Sequence, residues 1–168
     1  RGRPGRRVTR AHPILHDFGG PWGLRWAADN PEMFRSATLV DTGVLLGFRW
    51  HVLARVWRTP RLGELFMLTT TRSGMAMVLR RGQTRPLARE RVDAMYAASK
   101  DPGTQRAVLS LYRSTPADAL ASLRDPLRAL DRPCLVVWGV DDPYIDVKHA
   151  ERQKETFPRA RIVRFDGC

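Results

Sequence analysis

The sequence predicts an α/β protein built on a parallel sheet, with an all-helical block inserted between two of its strands. Short apolar runs recur along the chain with helical patterns between them, the signature of strands joined by helical crossovers. Residues 44–113, by contrast, show helical patterns and no convincing strand. Taken in order, residues 13–16 form the first short strand. A helix follows from Pro21, since proline suits a first turn, and it runs through Leu24, Trp26 and Ala27 to stop near Asn30-Pro31. Ala37-Thr38-Leu39-Val40 reads as a second buried strand, ended by Asp41-Thr42-Gly43. In the helical block the patterns cover residues 44–57, 62–68, 89–99 and 104–112. Breaks fall at Thr59-Pro60, Gly82-Gln83 and Asp101-Pro102-Gly103. Residues 116–130 are helical with Thr115 as N-cap. The apolar run Cys134 to Gly139 is a strand with a glycine exit, residues 147–157 are helical, and residues 161–165 form the last strand.

Composition narrows the class. A length of 168 residues suits one domain with a real core. Hydrophobic residues make up 43% and charged residues 27%, as in ordinary soluble globular proteins. No apolar run approaches the roughly 18 residues of a membrane span, so no membrane is expected as a partner. Of the net charge of +12, five arginines lie in the first ten residues, which contain no acid. Residues 1–12 are therefore expected to be a basic, disordered tail. The remaining +7 is spread over helices that also carry Asp and Glu. With no reading helix, zinc finger or RNA-binding signature, the excess reads as a solvated Arg-rich surface and no nucleic-acid partner is expected. The basic start is not followed by an apolar signal core. Cys134 and Cys168 form neither a disulfide framework nor a metal-ligand spacing, which points to a reducing, cytoplasmic setting and no metal. Oligomeric state is not readable at this level.

The stretch Ile14-Leu15-His16-Asp17-Phe18-Gly19-Gly20-Pro21-Trp22-Gly23 carries the chemistry. Strand, one exposed residue, glycine and helix is the geometry of a nucleophile elbow, in which a sharp turn lifts one side chain above the sheet. Asp17 is the residue lifted, and Gly19 and Gly20 allow the following helix to pack close to the strand. The bland alternative is an aspartate capping the next helix. A metal-binding His-Asp pair lacks a second cluster at ligand spacing. For Asp142, the alternative is a turn aspartate before proline. His12, His51 and His149 are expected on the surface.

HDFGGPWGL resembles the elbow of the α/β-hydrolase superfamily in its aspartate-nucleophile branch, the haloalkane dehalogenases and epoxide hydrolases. LVVWGVDDPYI resembles the strand and loop that bear the catalytic acid there, which places that acid at Asp142. Asp41, at the end of the preceding strand, is the alternative acid. The resemblance spans residues 14–168. It implies an α/β-hydrolase fold with core segments 13–43 and 114–168 and a helical cap at 44–113, no cofactor, and a small apolar organic substrate. The implied chemistry is attack by the carboxylate on carbon to form an ester of its own side chain, followed by hydrolysis of that ester with a histidine as base.

Three departures from the family pattern stand out. Phe18 replaces the usual tryptophan after the nucleophile, so its ring has no N–H for a leaving halide. Trp50 and Trp57 are the candidate substitutes, and Tyr96 and Tyr112 the candidates for protonating an epoxide oxygen. Leu15, two before the nucleophile, is closer to the dehalogenase pattern. The family's upstream HGxP loop is missing, leaving the Phe18 N–H as the oxyanion-hole donor. The family's Gly-His is also missing, since the sequence ends at Phe165-Asp166-Gly167-Cys168. The chain thus reads as truncated at both ends and is expected to be inactive in this form, forming an ester at best once. The alternative is a non-catalytic binding protein on the same fold.

Overall fold

The computed structural model describes residues 9–81, 85–116 and 120–167. The tail at 1–8, the break at 82–83, residues 117–119 of the sixth expected helix and Cys168 lie outside the described residues. A four-stranded parallel sheet, in the order β1-β2-β3-β4, consists of β1 (Ile14–His16), β2 (Ala37–Val40), β3 (Cys134–Gly139) and β4 (Arg161–Phe165). The registers pair His16 with Val40 and Val40 with Val137, so β1 and β2 end side by side while β3 runs two residues further. The tail expected to be disordered over 1–12 is ordered at its end: Ala11 bridges Phe34, with bonds to Met33 and Arg35, and His12 Nδ1 lies 2.7 Å from Ser36 Oγ.

Helix α1 (Gly19–Asp29) begins two residues before Pro21 and covers one face of the sheet with Leu24 and Ala27. These pack with Phe34, Leu39, Val136, Trp138 and Phe157 in a single buried cluster. The Trp138 indole N–H donates to the Ile145 carbonyl at 3.1 Å, so its polar edge is satisfied inside the core.

Between β2 and β3 the chain forms α2 (Val52–Arg58), α3 (Leu62–Thr69), α4 (Arg72–Arg81), α5 (Arg89–Lys100) and α6 (Pro102–Ser114). The helix expected over 44–57 exists only from Val52 onward. Upstream, the Val44 N–H and carbonyl are held by the Gln153 side chain at 2.9 and 3.2 Å instead of by a helical turn, and Gly47 adopts φ 67°. Helix α4 had no counterpart in the sequence reading. None of its residues is fully buried, so its apolar positions mark no sharp stripe. The break at Asp101-Pro102-Gly103 proves to be a helix start: the Asp101 carboxylate accepts the Thr104 N–H at 2.6 Å and Pro102 opens α6. Thr115 ends α6 and does not start the next helix. After it come a 3-10 turn at Ala121–Leu123 and α7 (Arg124–Ala129). The expected helix at 147–157 is split into α8 (Lys148–Arg152) and a 3-10 turn at Gln153–Glu155.

Candidate active site

Three aspartates stand just beyond the C-terminal ends of three adjacent strands: Asp17 after β1, Asp41 after β2 and Asp142 after β3. Ligands of parallel α/β sheets bind at this edge. Asp17 has φ 46°, in the left-handed region that a non-glycine residue enters at a cost of about 1–3 kcal/mol. The turn is held by two bonds to the Asp17 carbonyl, from the Gly20 N–H at 3.0 Å and from the Thr42 hydroxyl at 2.8 Å. Phe18 is the N-cap of α1, so its N–H belongs to the first-turn donors that no helical carbonyl uses.

The glycines divide their labour differently from the sequence reading. A Cβ at Gly19 would meet nothing within 4 Å, whereas one at Gly20 would stand 2.0 Å from Thr42 Oγ1. A Cβ at Gly23 would come 2.3 Å from Leu15 Cδ2. Close approach of α1 to the strands is therefore required at Gly20 and Gly23, and Leu15 serves that packing.

Asp41 repeats the elbow's strain at φ 45° and accepts the Gly139 N–H on Oδ1 at 2.8 Å, tying the end of β2 to β3. Burial pushes its carboxyl above the usual range; nearby Asp142 adds to this, while the Gly139 N–H and His16 oppose it. Asp142 Oδ1 accepts the N–H groups of Tyr144 and Ile145 at 2.7 and 3.1 Å. Asp142 thus shapes its own loop, as a turn aspartate does, while also lining the site.

All three carboxylates line a cavity of about 830 Å³ whose other walls are mainly aliphatic and aromatic. Phe18 stacks on Trp50 with centroids 6.1 Å apart and meets Tyr112 edge-on at 5.1 Å, and Trp57 lies 4.8 Å from Tyr112. Among the described residues the indole N–H groups of Trp50 and Trp57 are buried without an acceptor. Burial, with the charge of Asp17 and the neighbouring Tyr144, pushes the Tyr112 phenol up to about 12, which keeps it protonated as a donor. Arg58 braces this wall: its guanidinium lies 5.0 Å over Trp50 and donates to the carbonyls of Tyr112 and Thr115.

Of the residues singled out from sequence, Asp17, Phe18, Asp41, Trp50, Trp57, Tyr112 and Asp142 come together here. Tyr96 does not line the cavity; it packs under Lys100, whose Nζ is 5.3 Å from the ring. His51, expected on the surface, lines the cavity and caps α2, its Nδ1 accepting the Ala54 N–H at 3.2 Å. That bond leaves the proton on Nε2. Burial lowers the imidazole's pKa, against the pull of Asp17 and Asp142, so His51 faces the cavity as a neutral donor. Its position directly before an apolar helical run was the available signal. His149, also expected on the surface, is 4% exposed and lies under Phe48. Among the described residues no three His, Cys, Asp or Glu side chains gather as metal ligands.

No curated protein matches the sequence. Solved structures do. A 2-hydroxy-6-oxo-6-phenylhexa-2,4-dienoate hydrolase from Rhodococcus sp. strain RHA1 superposes with a TM-score of 0.76 at 20% identity, over 96% of this chain and 57% of that one. A mutant haloalkane dehalogenase from Agrobacterium tumefaciens gives a TM-score of 0.72 at 21% identity, over 95% and 60%. A serine hydrolase from the polyaromatic-hydrocarbon-degrading bacterium Cycloclasticus zankles gives 0.74 at 17% identity, over 96% and 57%. The chain therefore spans less than two thirds of the length of each of these structures, and at these identities the likeness is one of fold. A family model described as alpha/beta hydrolase fold matches residues 10–168. With the parallel sheet, the strained elbow and the carboxylates at the strand ends, this match shows that the chain belongs to the alpha/beta hydrolase family.

Proposed function

We propose that this chain is the nucleophile-bearing part of a hydrolase that works through an ester of Asp17, on small apolar substrates of the haloalkane or epoxide type. The observation that carries the reading is Asp17 itself, a carboxylate held in left-handed backbone at a strand-to-helix turn and lining this cavity. A carboxylate is ionised at neutral pH and needs no base before it attacks carbon. The bond from Asp17 oxygen to carbon forms as the bond from carbon to the leaving group breaks. Negative charge then grows on the departing halide or oxygen. Trp50 and Trp57 line the cavity and are the residues we assign to that charge in place of the indole that Phe18 lacks. For an epoxide, we assign the protonating donor to the Tyr112 hydroxyl, whose ring lines the cavity.

The helices between β2 and β3 act in this reading as the cap that closes the cavity and keeps water from the ester until the hydrolytic step. Water attack requires a histidine base with an acid to orient it. We assign that acid to Asp142 on the motif. Asp41 is the alternative, since it too leaves one carboxylate oxygen outside its bond to Gly139.

The test is incubation with a reactive bromoalkane or styrene oxide, followed by intact-mass analysis and peptide mapping. A single alkyl adduct on the peptide containing Asp17, absent in Asp17→Ala, is the expected result. Adduct on another residue, or hydrolysis by a full-length Asp17→Ala variant at the wild-type rate, overturns the assignment.

A further inference from the structure

The molecule's positive charge is not evenly spread. Residues 44–116 hold thirteen Arg and Lys against four Asp and Glu, a net +9, whereas residues 11–43 and 117–168 together carry −2. Among the described residues, six of the ten exposed large hydrophobic residues lie in the same helical insert, the other four being Ile14, Trp22, Tyr144 and Phe165. Val52 on α2, Leu62, Leu65 and Leu68 on α3, and Met77 on α4 are all between 46% and 68% exposed. On α3 the three leucines recur every third residue and so lie within one side of the helix. On α2 the division is sharp, since Leu53 and Trp57 line the cavity while Val52 and Arg55 face solvent. Ion pairs tie down Arg72, Arg89 and Arg113. Arg55, Arg61, Arg80 and Arg81 are exposed and, among the described residues, have no carboxylate partner.

We infer that the outer surface of this insert docks onto an anionic phospholipid surface, with the α3 leucines and Val52 entering the interface and the flanking arginines meeting the headgroups. Charge decides between the occupants of such a face. A second copy would set one basic surface against another in a two-fold contact, bringing Arg55 and Arg61 beside their own copies. A nucleic acid would satisfy the arginines but leave Leu62, Leu65 and Leu68 exposed to water at a polyanion's edge. An anionic bilayer satisfies both, taking apolar side chains into the acyl boundary and basic ones into the negative headgroup layer. No helix among the described residues is long and apolar enough to cross a membrane, so the contact is one of lying on the surface. This inference does not depend on the ester chemistry assigned to Asp17.

The full chain would be sedimented with vesicles of phosphatidylcholine alone and with vesicles in which about 30% is phosphatidylglycerol. Binding to the anionic vesicles only is expected, falling as salt is raised. Leu65→Ser with Leu68→Ser, and separately Arg55→Glu with Arg61→Glu, should each lower the partition coefficient by about tenfold. These positions are exposed, and unchanged far-ultraviolet circular dichroism keeps the comparison clean. A Leu65→Trp reporter should shift its emission to the blue on anionic vesicles, and Asp17→Ala should bind as the parent does. The inference is overturned by absence of binding, by equal binding to both vesicle types, or by leucine variants that bind like the parent. Tighter binding to duplex DNA than to the vesicles, or self-association abolished by Leu65→Ser, would overturn it in favour of another occupant.

Discussion

Replacing Gly20 with alanine should destabilise the protein by about 2 kcal/mol, whereas the same change at Gly19 should be neutral or slightly stabilising. The added Cβ at position 20 would stand 2.0 Å from Thr42 Oγ1 and 3.0 Å from Thr42 Cβ and Cγ2, and Thr42 is itself buried. Overpacking of this kind costs about 1–3 kcal/mol. The displaced hydroxyl is also the one that donates to the Asp17 carbonyl, and a lost hydrogen bond adds about 1 kcal/mol. Alanine's better helix propensity returns at most about 1 kcal/mol. At Gly19 a Cβ meets nothing within 4 Å, so only the propensity effect remains. Urea unfolding followed by tryptophan fluorescence measures the difference, which at a slope of about 2 kcal/mol/M is near 1 M in midpoint. In a Thr42→Ala background the 2.0 Å contact disappears, so the cost of Gly20→Ala should fall by about 1 kcal/mol. Equal midpoints for the Gly19 and Gly20 variants, or a cost unchanged by Thr42→Ala, would refute the claim that α1 seats on Thr42.

Gln153→Leu should lower stability by about 2–4 kcal/mol, read as a drop in the thermal midpoint, because the fully buried Gln153 amide serves the Val44 N–H and the carbonyls of Val44 and His149. Gln153→Glu should be worse, since a carboxylate cannot donate to those carbonyls. Stability should fall as pH drops below 6.5, in part through His149. Burial lowers its folded-state pKa, helped by Lys148 and Arg152 and opposed by Asp146, so the unfolded chain takes up the proton first. His149→Gln should flatten that slope between pH 7.5 and 5.5 in urea titrations, and an unchanged slope would sink the attribution. Burial pushes the Cys134 thiol up to about 12, so this cysteine should resist a disulfide reagent at pH 8 in the native protein and react once urea has unfolded it.

Much of the fold was legible in the sequence because strand and helix signals are local. Each of the four strands lies where an apolar run ends in a turn residue, and the elbow at Asp17 is written in consecutive residues that force a strand, a sharp turn and a helix. The same locality explains the errors. Residues 44–51 carry a helical pattern, yet Gln153, more than a hundred residues away in sequence, holds the Val44 backbone in another conformation. Gly19 and Gly20 look equivalent as neighbours, and only the position of Thr42 tells them apart. His51 and His149 differ from surface histidines through what packs over them, a fact no window around either residue contains. The aromatic wall of Phe18, Trp50, Trp57 and Tyr112 is likewise assembled from three separate stretches of chain. Sequence by itself determined the strand order along the chain, the nucleophile candidate and the charge of each segment, since these follow from neighbouring residues and composition. Which carboxylates share a cavity, which indole N–H groups go unpaired and which glycines are irreplaceable were decided by tertiary structure, because each depends on distances between residues that only the folded chain brings together.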